Sequence, residues 1–127
     1  MANLPACYFA LAGLSVLGDD LSQVNWSGLK EFLVQVQRKD GGFGEWVLKG
    51  GVNGEGGDRI MGGEDMRFMY CAMAVRWIMH GGKDGPGRHL DGVRDVDVDG
   101  CVRFIKASTV GKHSDSPREI ILKPNYP

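Results

Sequence analysis

The sequence predicts an all-α protein built of stacked αα-hairpins, and no strand pattern competes with that reading. Two observations carry it. Four apolar stretches repeat with the 3.6-residue period of a helix. Stretches that are apolar on nearly every face alternate with stretches that are apolar on one face only, the pattern of enclosed and surface helices in turn. Glycine marks the breaks: of 20 in 127 residues, fifteen lie between Gly41 and Gly63 or between Gly81 and Gly92.

The first helix is expected from Pro5 to Leu17, with proline near its start and apolar residues all round, so burial on all sides is expected. The second runs from Trp26 to Gln37, with Ser22 or Asn25 as cap and Leu29, Phe32, Leu33 and Val36 as one apolar stripe. Asp40-Gly41-Gly42 stops it, because a chain reversing directly off a helix needs positive φ, and Phe43 follows as a hydrophobic plug. A third helix is expected from Glu64 to His80, with Met66, Met69, Tyr70, Met73, Ala74, Trp77 and Ile78 in period and Phe68, Cys71, Ala72 and Val75 on its other faces. That helix too reads as enclosed. The fourth is expected from Asp97 to Ala107, with a stripe of Val98, Cys101, Val102 and Ile105 and acids at the amino end, where the helix dipole favours them.

A net charge of −1 offers no electrostatic footprint for nucleic acid or an anionic membrane. The longest largely apolar run, Ala6 to Leu17, is too short for a transmembrane segment and lacks the preceding basic residue of a signal peptide. Cys7, Cys71 and Cys101 are odd in number and lie inside apolar helical patterns, as reduced core cysteines of a cytoplasmic protein do. Asn25-Trp26-Ser27 matches a glycosylation sequon that such a location leaves idle. Hairpins of this kind bury their apolar faces only by stacking on neighbours, and at least three repeats are the usual minimum. Two hairpins suggest that part of an array is absent and that these residues alone are marginally stable.

Leu29 to Phe43 resembles the repeat of protein prenyltransferase β subunits, whose units end in Gln, a few polar residues and Asp-Gly-Gly-Phe. Leu17 to Asn25 and Asp65 to Ala72 are similar to the geranylgeranyltransferase type I β subunit. The farnesyltransferase β subunit usually places serine where this chain has Phe68, and the Rab enzyme tends to lack the tyrosine at position 70. The resemblance covers about Ala2 to Ser108. It divides the chain into a partial toroid domain over 1–108, with a solvated glycine-rich insertion at 47–63 and a loop at 81–92, and a divergent, disordered tail over 109–127. The tail lacks the Glu-Ser-His-Gly-Gly-type stretch of the family, an expectation that points to a truncated or misjoined gene product.

The resemblance implies an α/α toroid, of the prenyltransferase β-subunit and terpenoid cyclase type, present here as an incomplete ring. Such a toroid forms a funnel lined by aromatic residues, holding an isoprenoid diphosphate beside the carboxyl-terminal CaaX tetrapeptide of a protein substrate. A zinc ion holds the CaaX cysteine as thiolate, and a helical-repeat α subunit completes a heterodimer. Three substrate-binding residues follow from it. Arg67 occupies the position that lines the lipid pocket and contacts the CaaX carboxylate through water, and Tyr70 the position that helps wall the isoprenoid. The family glutamate that shares that water stands four residues before the arginine, where this chain has Gly63; Glu64, one position on, is the residue offered for the role. On the residues alone, Arg67 pairing with Asp65 or Glu64 at a helix start and Tyr70 lying in the core is the favoured reading, and the resemblance puts the pocket reading ahead.

No catalytic residue and no metal ligand is assigned in this chain. The family's zinc ligands and the basic grip on the diphosphate lie in later repeats, and His80, His89 and His113 have no ligand spacing to the cysteines. Asp95-Val96-Asp97-Val98-Asp99-Gly100 copies half of a calcium loop but places Lys106 where a bidentate glutamate is needed, so the acids read as helix caps. Gln37, Gly41 and Phe43 also satisfy the Gln-x-x-x-Gly-x-aromatic repeat of terpene cyclases. The expected function is therefore a part of a type I geranylgeranyltransferase β subunit that does not catalyse alone. Alternatives are a farnesyltransferase β subunit, a non-catalytic fragment that binds an α subunit or lipid, and a cyclase-like enzyme.

Overall fold

The computed structural model describes residues 2–50, 56–63, 65–81 and 92–110. Four helices carry the fold: α1 (Leu4–Val16), α2 (Trp26–Val36), α3 (Met66–Met79) and α4 (Val98–Val110), with strands β1 (Trp46–Leu48) and β2 (Arg59–Met61) between the second and third. Each lies within a few residues of its expected bounds, α4 extending three residues further. Asn25 is the cap of α2, accepting from the Gly28 N–H at 3.0 Å.

The end of α1 shows how a short sequence dictates a reversal. Gly18 takes φ +78°, Gly18 N–H donates to the Ser15 carbonyl at 3.1 Å and Asp19 N–H to the Leu14 carbonyl at 3.0 Å. This pair of bonds satisfies carbonyls that a helix end otherwise leaves open. The Asp19 carboxylate then accepts from the N–H of Leu21, which is buried despite φ +57°. At its other end α1 is tied into the glycine turn: Leu4 N–H donates to the Glu45 carbonyl at 2.9 Å and the Asn3 side-chain amide to the Glu45 carboxylate at 2.7 Å.

The turn after α2 is tighter still. Arg38 N–H donates to the Gly42 carbonyl, Gly42 N–H to the Asp40 carboxylate, and Gly44 N–H returns to the Val36 carbonyl. Gly41 has φ +90°, and a Cβ there would overlap the backbone carbonyl of Gly100. Phe43, 2% exposed, plugs the core as expected.

Gln37 joins this turn to α4. Its amide oxygen accepts from the Asp97 N–H at 2.7 Å, and its amide nitrogen donates to the Asp97 carbonyl at 2.9 Å. The Asp97 side chain in turn caps α4 by accepting from Gly100 N–H at 2.8 Å.

The core runs through α1, α2 and α3, with Phe43 and Val47 from the intervening segment, Val96 from the approach to α4 and Cys101 from α4 itself. Its centre is the packing of α1 on α3. Phe32, Leu33 and Val36 are buried as the stripe of α2 predicts. The enclosure expected of α1 and α3 is only partial. Phe9, Val16 and Leu17 on the first helical segment are 67%, 86% and 83% exposed, and Tyr70 and Trp77 on α3 are 61% and 60% exposed. On α3 the buried residues are Met69, Cys71, Ala72, Val75 and Met79. A helix apolar all round carries no phase in its pattern, so the sequence does not say which face the neighbours cover. Much of the stripe of α4 is open as well: Cys101 is buried, while Val98, Val102 and Ile105 are exposed.

Strands also form where none was expected. Val47 pairs with Ile60 in an antiparallel hairpin with Trp46 opposite Met61 and Leu48 opposite Arg59, and Glu45 N–H adds a bond to the Met61 carbonyl at 2.6 Å. The glycine-rich segment read as a solvated insertion thus has ordered flanks, because Val47 is buried and anchors one strand to the core. Residues 51–55 between the flanks, and the expected loop and tail residues 82–91 and 111–127, lie outside the described residues.

Two outcomes test this framework. Gly41→Ala is expected to cost at least about 2 kcal/mol, since left-handed strain alone is roughly 1–2 kcal/mol and overlap with Gly100 adds to it; urea unfolding with unchanged slope measures the loss. Gln37→Leu, close in volume, is expected to cost about 1–3 kcal/mol by stranding the Asp97 N–H, the Asp97 carbonyl keeping the Cys101 N–H at 3.1 Å, and hydrogen exchange at the Asp97 amide should accelerate.

Candidate functional site

The exposed side of the α1–α3 pair gathers the aromatic residues. Tyr8 and Tyr70 meet across it with hydroxyls 3.0 Å apart and rings edge to face, centroids 5.4 Å apart at 80°. Phe9 leans on Tyr8 with centroids 5.1 Å apart, and Trp77 continues the face along α3. Tyr70 and Trp77 are two turns apart on one side of the helix. The hydrogen bond to Tyr70 holds the Tyr8 phenol above its usual pKa.

Arg67 stands on the first turn of the same helix with its side chain 86% exposed. Its guanidinium contacts the Asp65 carboxylate at 2.6 Å, and the other Asp65 oxygen accepts from the Arg67 N–H at 2.8 Å. The guanidinium hydrogen bond is the main cause that lowers the Asp65 pKa, and the same contact raises that of Arg67. An ion pair this exposed contributes little to stability and exchanges partners readily. Arg67 and Tyr70, the two assigned residues described, are thus brought to one exposed helix side, with Arg67 in the Asp65 pairing that the residues alone favour. Glu64, like His89 and His113, lies outside the described residues. Sequence reading missed Tyr8, Phe9 and Trp77 as members of this face; the adjacent Tyr8-Phe9 on a helix of small apolar residues was the available signal.

The acids of the calcium-like stretch are engaged elsewhere. Arg76 grips Asp95 with contacts of 2.7, 3.2 and 3.3 Å, and Asp97 caps α4 and meets Arg103 at 3.2 Å. The Arg76 guanidinium is the largest cause lowering the Asp95 pKa, with the charge of buried Lys30 adding to it. Cys71 and Cys101 are buried free thiols whose pKa values burial raises, and Cys7 is a half-buried free thiol. Among the described residues no three His, Cys, Asp or Glu side chains come together as a metal site. No described helix is long and apolar enough to cross a membrane.

A family profile for the prenyltransferase alpha-alpha toroid domain matches residues 1–112. The chain belongs to this family. The mostly helical chain, α1 to α4, meets the all-α toroid expectation, with a small hairpin sheet added. Among curated proteins, the geranylgeranyl transferase type-1 subunit beta of Arabidopsis thaliana is 32% identical over 78 residues, covering 61% of this chain and 18% of that protein. The chain therefore spans less than a fifth of the relative it matches. No solved structure matches it.

The Arg76–Asp95 pair sets a pH dependence. A depressed carboxylate contributes stability that is complete above its unfolded value, about 3.9, and that is lost as pH falls through the folded value. Urea midpoints are expected to decline below about pH 4, and Asp95→Asn should lower the neutral-pH midpoint while flattening that acid limb.

Proposed function

We propose that this chain is part of the β subunit of a protein geranylgeranyltransferase type I, which moves an isoprenoid from geranylgeranyl diphosphate to the cysteine of a C-terminal CaaX motif. The observation that carries the reading is the exposed aromatic face of a prenyltransferase toroid domain, with Arg67 at the start of the helix that bears Tyr70 and Trp77. The partial likeness to the Arabidopsis β subunit supports the subtype.

In this reading Tyr70, with its neighbours, supplies flat apolar surface to the isoprenoid. Such surface gains about 25 cal/mol for each Å² taken from water. Arg67 supplies planar donors to the CaaX carboxylate through water, a task suited to a guanidinium that is always charged, highly exposed and paired with Asp65. Glu64 would share that water. Zinc, an α subunit and the diphosphate-gripping cations belong to the complete enzyme, and no step through zinc is assigned to the residues of this chain.

The test uses a β subunit carrying this segment, purified with its α subunit and supplied with zinc, labelled geranylgeranyl diphosphate and a CaaX peptide. Transfer to the cysteine is expected. Arg67→Ala should raise KM for the peptide about tenfold, equivalent to ~1.4 kcal/mol, and Tyr70→Ala should raise KM for the isoprenoid. Preference for farnesyl diphosphate would shift the subtype, and turnover of isoprenoid with no acceptor would replace the reading by a cyclase. Absence of any turnover with α-subunit binding intact would leave a non-catalytic binding role.

A further inference from the structure

We infer that Tyr8 on α1 is a positioning residue for Tyr70, and that the two hydroxyls act as a self-satisfying pair which lets hydrocarbon cover an aromatic wall. The inference rests on the isoprenoid reading above. Its own observation is the 3.0 Å contact between the two hydroxyls, made between side chains 62 residues apart in the chain.

A phenol on a surface destined to meet hydrocarbon is a liability. In water its hydroxyl is solvated, but covered by lipid without a partner it carries the desolvation cost of a stranded polar group. Two phenols that face one another remove part of that cost, because the O–H of one finds an acceptor in the other, and one O–H in place of two is left to be satisfied. The edge-to-face ring geometry, at 80° with centroids 5.4 Å apart, holds Tyr70 from the side through Tyr8, itself supported by Phe9. Tyr8 is half-buried and Tyr70 is 61% exposed, so Tyr8 is the fixed member and Tyr70 the presented one. In the uncovered protein the bond is open to water and adds little to stability, so its consequence falls on binding.

The consequence is a specific coupling. Tyr8→Phe leaves the Tyr70 hydroxyl alone, and Tyr70→Phe leaves the Tyr8 hydroxyl alone; in either case covering the face strands one polar group. The double variant strands none.

The experiment measures geranylgeranyl diphosphate binding to the α–β complex carrying this segment, for the parent, both single variants and the double variant, with urea midpoints alongside. Each single variant is expected to weaken binding about fivefold or more, the scale of one stranded hydroxyl. The double variant should return to within about twofold of the parent, with the midpoints of all four proteins closely similar. A merely structural role would not produce that recovery. Single variants that bind like the parent, or losses that add in the double variant, overturn the inference while leaving the isoprenoid reading in place. A parent complex that does not take up geranylgeranyl diphosphate overturns both.

Discussion

The fold depends on one side chain behaving as a peptide group. Gln37 stands just past the end of α2 and offers an amide N–H and an amide oxygen to the carbonyl and N–H of Asp97, the residue just before α4. A carboxylate in its place would lack the donor, and an apolar residue would lack both. The clamp works only because the two backbones come close, which glycine at 41 and at 100 permits. Hydrogen bonding and absence of side chains are thus two halves of a single constraint. Together they fix where one hairpin begins relative to the last, and so set the pitch at which αα units stack.

With that pitch set, α1 and α3 lie side by side as one layer. Leu4 and Leu11 of α1 and Met69, Cys71, Ala72, Val75 and Met79 of α3 are buried. Phe9, Tyr70 and Trp77 are open among the described residues. An apolar face of this kind marks a surface that something covers. The aromatic character matters because rings provide large flat area with few rotamers to freeze.

Two arginine–aspartate pairs show how burial assigns a job to the same chemistry. Arg76 and Asp95 are about two-thirds covered, share three contacts and feel the nearby Lys30, so they tie α3 to the approach of α4. Arg67 is exposed on the first turn of α3 and pairs with half-buried Asp65, which also serves as the cap of that helix. Water screens that pair, so its guanidinium is held in place yet remains free to engage another acceptor. The first is scaffold, and the second leaves the Arg67 guanidinium exposed.

The sequence by itself determined the helices, the reversal at Gly41 and the plug at Phe43, and narrowed the cap of α2 to Ser22 or Asn25, because each rests on local physics: a period, a short polar side chain or a positive φ. It offered Arg67 and Tyr70 as binding candidates through resemblance and not through spacing. Only the tertiary structure decided which face of α1 and α3 is core, since a pattern apolar all round has no phase, and only it brought Tyr8 to Tyr70. The hairpin at Val47 and Ile60 was equally hidden. A three-residue strand has too little sequence to announce itself, and it exists because a buried valine and a partner strand hold it. The local half of the structure was legible because its causes are neighbours in the chain; the rest was decided by contacts between residues that only folding makes neighbours.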